Sequence, residues 1–244
     1  MTADEYKKIL REVLCEQLEV DDSLKSLLSI LDEVGEEHGS SPQSYAISIK
    51  DTGEKAHQRA ILLSPHKSVL GATCVKWLDM ELPVIFGPNP RRPSFDLIGE
   101  TDDGRLALCE LKYNMASRNN PTYALFEILI YYYHIWRNAN ALQENRIWHR
   151  KMHQVDNPWD WNKFNDPKNV ILIVAGNKTY WDGWETKQPA FEIGAKLEKA
   201  IPSLSIRFFC APDPQISFPE QSAGETYTPS LGKNDKTPWE EMII

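Results

Sequence analysis

Residues 93–113 read Pro-Ser-Phe-Asp-Leu-Ile-Gly-Glu-Thr-Asp-Asp-Gly-Arg-Leu-Ala-Leu-Cys-Glu-Leu-Lys-Tyr, and the rest of the chain is read outward from them. Two apolar runs, Phe95 to Gly99 and Leu106 to Tyr113, flank Asp102-Asp103-Gly104, a strong turn signal between strands. The second run is apolar almost throughout, as a strand covered on both faces is. Glu110 and Lys112 interrupt it. Side chains alternate along a strand, so these two share a face. A carboxylate and an ammonium in a central strand are costly unless they pair or bind something. Asp96, on the preceding strand, comes beside them. A bare Glu-x-Lys arises by chance about once or twice in a chain of this length, so its setting carries the information.

Two carboxylates and a lysine at one point on a sheet form a constellation suited to a hard divalent cation and a phosphodiester. Asp96, thirteen residues, then Glu110-Leu111-Lys112 resembles the PD-(D/E)xK nuclease superfamily, which has the restriction-endonuclease-like fold. Phe95 stands where that pattern has proline, and Pro93 lies two positions earlier. The resemblance covers the motif and, more loosely, the order of elements from residue 54 to 210. It implies that Asp96, Glu110 and the Leu111 carbonyl bind Mg²⁺ or Mn²⁺ and that Lys112 acts on the attacking water. The implied substrate is nucleic acid, most naturally DNA, cut by an endonuclease of restriction, defence or repair type. The alternative is a non-catalytic module that keeps the fold to bind protein or nucleic acid. Relatives often carry a glutamate on a helix before the motif, for which Glu54 and Glu81 are the candidates. Glu127 and Tyr131 sit where RecB-like nucleases place a glutamine and a tyrosine on the following helix.

The 244 residues suffice for one large domain or a domain with an appendage. Net charge is −8, but its distribution matters more. Residues 1–54 hold five Lys/Arg and thirteen Asp/Glu, whereas residues 55–244 hold twenty-two of each. The nuclease-like part is therefore not globally repelled by phosphates. No apolar run approaches the roughly 20 residues of a membrane span. The charged N-terminus lacks a signal-peptide core, and the four cysteines are scattered; both point to a reducing cytoplasm.

Residues 1–42 read as an acidic helical hairpin. Tyr6, Ile9, Leu10, Val13, Leu14 and Leu18 form a helical stripe; Ser23 is a cap for a second helix bearing Leu24, Leu27, Leu28, Leu31 and Val34. The hairpin serves as a lid on the main core, the simpler arrangement, or as a surface for a homodimer. Residues 43–210 hold the main domain. Its expected elements begin with a strand over 45–49, a helix over 54–63, a helix from Ser64-Pro65 to Leu78, and a strand over 83–86. After the motif come a long buried helix from Asn120-Pro121 to Ala141, a strand over 169–174, a helix over 189–201 and a strand over 204–210. The last two strands should pair in parallel. Arg146, Arg150 and Lys151, with His149, His153 and nearby tryptophans, form a basic and aromatic stretch able to contact nucleic acid. A solvated surface beside a packed core edge accounts for it equally. His149 and His153 lack the glutamate of a zinc-protease helix. Residues 211–244 read as an extended tail. The fold class is α/β: a central mixed β-sheet flanked by helices, a restriction-endonuclease-like core, with the N-terminal α-helical hairpin.

Overall fold

The computed structural model describes residues 1–33, 53–84, 93–114, 120–145, 149–150, 155–156, 159–185, 187–214 and 229–242. At its centre is a seven-stranded mixed sheet. Four strands come first: β1 (Ser68–Leu70), β2 (Thr73–Pro83), β3 (Ser94–Thr101) and β4 (Leu106–Lys112). Each is antiparallel to its neighbour. Helix α4 (Pro121–Asn145) follows, then the short hairpin β5 (His149–Arg150) and β6 (Val155–Asp156), which stands apart as its own two-stranded sheet. The chain returns to the main sheet with β7 (Val170–Gly176), parallel to β4. Helices α5 (Lys178–Gly183) and α6 (Gln188–Ala200) lead to β8 (Ile206–Cys210), parallel to β7. Finally β9 (Glu240–Glu241) pairs antiparallel with β8. Trp239 also bridges to Leu70, so the two ends of the sheet meet and the sheet is nearly a closed barrel.

The hairpin at residues 101–105 follows from its turn residues. Gly104 adopts φ 82°, a conformation that costs glycine nothing, and its N–H donates to the Thr101 carbonyl at 3.0 Å. Strand β4 is buried at every position, as its continuous apolar run requires. One sheet face packs on α4, whose Leu125, Ile128, Leu129, Tyr132 and Ile135 are fully buried. The other face carries a smaller cluster that includes Ile61, Trp77, Leu97, Cys109, Leu111, Phe209 and Trp239.

Helices α1 (Ala3–Leu18) and α2 (Lys25–Asp32) form the expected hairpin, and it packs on its own core. Tyr6, Leu10, Leu14, Leu24, Leu27 and Leu31 are fully buried, and the Tyr6 hydroxyl donates to the Leu129 carbonyl of α4 at 3.1 Å. The cap differs from the expected Ser23. Asp21 caps a single 3₁₀ turn, its carboxylate accepting from the Ser23 N–H at 2.8 Å, and α2 follows. Val34 lies outside the described residues, as does the strand expected over 45–49.

Helix α3 (Glu54–Leu62) matches the expectation, but the helix expected from Ser64 to Leu78 is instead the β1–β2 hairpin. Gly71, at φ 58°, makes the turn, and buried Val75 and Trp77 alternate with exposed Lys76. The strand expected over 83–86 falls only in part on the described residues. Strand β2 ends at Pro83, and Ile85 and Phe86 lie outside the described residues. Of the C-terminal segment, residues 215–228 lie outside the described residues; beyond them Gly232–Asn234 form a 3₁₀ turn, and Trp239 stacks on Trp77 with ring centroids 5.7 Å apart.

Candidate active site

The β3–β4 ladder runs from Glu100↔Leu106 to Leu97↔Cys109 and then opens into a fork. Beyond that pair, the Leu111 N–H goes to the Asp96 carboxylate, Oδ2 accepting at 2.7 Å. A side chain thus replaces a ladder bond, and Asp96 is wedged between the parting strands. Its Oδ1 accepts from Gln58 Nε2 of α3, also at 2.7 Å.

On the α4 side, Lys112 Nζ donates to Glu110 Oε1 at 2.6 Å and to Glu127 Oε2 at 3.0 Å. Tyr131 donates its hydroxyl to Glu127 Oε1 at 2.8 Å, one helical turn further along. Asp96, Glu110 and Lys112 are only 8, 3 and 4 % exposed, so water does little to screen their charges. Glu54, at the start of α3, is partly buried. Its charge is felt by Asp96. The structure thus brings together Asp96, Glu110, Lys112, Glu54, Glu127 and Tyr131. Glu81 lies to one side, in an ion pair with Lys55 at 2.8 Å. Arg146 and Lys151 lie outside the described residues, and Arg150 is a backbone partner of Val155 in the β5–β6 pair.

Four carboxylates around one ammonium shape the titration. Burial, then the charge of Glu54, pushes Asp96 well above the usual carboxylate range. Burial, then Asp96 and Glu127, does the same to Glu110. Burial alone would depress the Lys112 ammonium, but Glu110, Glu127, Asp96 and Glu54 together hold it well above its ordinary value.

Three residues of the surroundings escape a reading by motif. Gln58 lies one turn after Glu54 on the same helix, a spacing that could have flagged it. Tyr180 belongs to α5, a short helix announced only by its cap, Asn177. The Asn177 amide donates to Asn114 Oδ1 and to Asp213 Oδ1, both at 2.7 Å, and its oxygen accepts from the Asn114 N–H at 2.9 Å. It thereby pins the residues that follow Lys112, at the C-terminal ends of two parallel strands. Gly176 lies opposite Lys112 in the ladder, and a Cβ there would sit 2.3 Å from the Tyr180 ring. The missing side chain lets that ring close over the strand beside Lys112.

Among the described residues, no group of three or more His, Cys, Asp or Glu side chains is gathered to hold a metal. Asp96, Glu110 and the Leu111 carbonyl make a smaller set of two carboxylates and a main-chain oxygen. Glu110 Oε2 is buried and has no hydrogen-bond partner among the described residues, and leaving such an acceptor unpaired costs about 1–3 kcal/mol or more when charged. A cation at that oxygen removes the penalty. Each Asp96 oxygen retains a second lone pair beside its hydrogen bond. These residues therefore fit a hard divalent cation.

The chain matches no protein-family model, no curated protein and no solved structure. The functional argument therefore rests on the site itself.

Proposed function

We propose that this protein is a metal-dependent nuclease that hydrolyses DNA phosphodiesters through Asp96, Glu110 and Lys112, on a restriction-endonuclease-like core. The observation that carries the reading is the fork between β3 and β4. It sets two buried carboxylates and a buried lysine at one point, where structure alone has no need of them. Asp96, Glu110 and the Leu111 carbonyl would hold Mg²⁺ or Mn²⁺. The bound cation supplies charge neutralisation at the phosphate and activation of water.

The chain's own residues supply the rest. Asp96 is fixed by two donors, so its lone pairs are presented in one orientation. Lys112 keeps its proton and stabilises negative charge developing on the phosphate, or orients the attacking water. Glu127 and Tyr131 hold the ammonium on the α4 side, so that it stays at the site if Glu110 turns to a cation. Burial keeps bulk water from weakening these interactions.

The test is incubation of the full chain with plasmid and with single-stranded DNA, with and without Mg²⁺ or Mn²⁺. Metal-dependent cleavage that is lost in Asp96→Ala, Glu110→Ala and Lys112→Ala is expected. Cleavage by Glu110→Ala at the wild-type rate would show that the site is elsewhere.

A further inference from the structure

We infer that Gln58 is a positioning residue, holding the Asp96 carboxylate in the orientation that receives a divalent cation. The inference rests on the metal-dependent reading above and extends it to a residue of α3. Gln58 is 2 % exposed and donates through Nε2 to Asp96 Oδ1 at 2.7 Å, while the Leu111 N–H donates to Oδ2 at the same distance. One donor comes from a helix and the other from a strand, so together they fix both the position and the plane of the carboxylate. For the ionised Asp96 that a cation requires, the amide orientation follows from chemistry: its oxygen facing the carboxylate would repel it.

An amide suits this role better than a cation would. Lys112 neutralises Glu110 and so competes with a metal for it, whereas Gln58 orients Asp96 and leaves its charge for the metal. The residue also carries a local cost. Its Oε1 is buried and has no hydrogen-bond partner among the described residues, an arrangement that disfavours glutamine at a site kept only for packing. An apolar side chain of similar length would fill the space without that defect. A locally unfavourable residue that makes one short, directed bond to the Asp96 carboxylate belongs to the site's support.

The experiment titrates Mn²⁺ into the full chain, reading affinity by calorimetry and ligand geometry by the zero-field splitting of the Mn²⁺ EPR spectrum. Gln58→Met removes the donor while keeping the bulk. Gln58→Asn keeps the amide but cannot reach Asp96, and it serves if the methionine variant does not fold. Ile61→Val, buried in the apolar cluster on the same helix and unable to hydrogen-bond Asp96, reports on mere loosening of α3. The expected result is Mn²⁺ affinity weakened about tenfold or more in the Gln58 variants, with an altered spectrum, and wild-type affinity in Ile61→Val. Wild-type affinity and spectrum in the Gln58 variants would overturn the inference while leaving the metal site intact. Absence of Mn²⁺ binding by the wild-type chain would overturn the metal reading itself, and the inference with it.

Discussion

Lys112 is the residue on which the electrostatics of the site turn. It is buried, and its ammonium bridges Glu110 and Glu127. Breaking a buried ion pair from one side leaves uncompensated charge and costs about 3–5 kcal/mol, so Lys112→Met should lose that much stability in urea unfolding near neutral pH. Glu110→Gln should cost much less, because Glu127 still pairs with Lys112 and the carboxylate removed is one whose burial is unfavourable. The sign with pH follows from the same charges. Glu110 and Asp96 are held above the ordinary carboxylate range, so the folded state keeps their protons to higher pH than the unfolded chain does. Their contribution is complete below the ordinary range and is lost as pH rises through the folded values. Glu110→Gln should therefore show a shallower loss of stability with rising pH. A Lys112→Met protein as stable as wild type would contradict the whole charge assignment.

At the scale of elements, α4 joins the site to the hairpin. One side of it carries Glu127 and Tyr131; another is covered by α1 and α2, with five of their side chains fully buried. Each large aliphatic buried is worth about 1.5–3 kcal/mol, so deleting residues 1–33 should cost several kcal/mol and expose α4. A truncated chain with an unchanged melting temperature would mean that the hairpin contributes no core. The same contact contains a pH-sensitive group. His134 of α4 donates from Nε2 to the Ile30 carbonyl at 2.8 Å, and burial pushes its pKa from 6.5 down to about 4. Between those values the unfolded chain binds the extra proton and the folded state does not, so stability falls as pH drops from 6.5 to 4. His134→Gln can keep a donor for Ile30 and cannot titrate. Comparing its unfolding with wild type at about pH 7 and about pH 4.5 should show a smaller acid loss in the variant. Equal losses would remove His134 from the acid response.

For the whole molecule, net charge misleads and its placement informs. The excess of acid lies in residues 1–54, most of it on the hairpin, so nucleic acid is expected to approach from another side. The basic stretch after α4 is the candidate contact, although two of its three arginine and lysine residues lie outside the described residues. Changing Arg146, Arg150 and Lys151 together to alanine should weaken DNA binding and reduce the slope of log affinity against log salt by up to about 3, without altering Mn²⁺ affinity. An unchanged slope would assign that stretch to the solvated surface.

Local pattern was enough for much of this protein. The turn at Gly104, the alternation that sets Glu110 beside Lys112, α3, the buried α4 and the parallel β7–β8 pair all follow from periods of 2 and 3.6 and from turn residues a few positions apart. The same local reasoning failed at residues 64–78. There Ser64-Pro65 resembled a helix start, while the deciding feature was strand pairing, with Gly71 at the turn and β2 hydrogen-bonded to β3. The near-closure of the sheet was equally hidden, because it depends on Trp239 meeting Leu70 and Trp77 across most of the chain. At the site, sequence named Asp96, Glu110 and Lys112 but could not choose between Glu54 and Glu81, and it passed over Gln58. Those decisions belong to tertiary structure, since α3, the β3–β4 fork and α4 are brought together only when the sheet is formed and both its faces are covered. The spacing from Glu54 places Gln58 on the same face of α3, but its pairing with Asp96, 38 residues away, is selected only by packing.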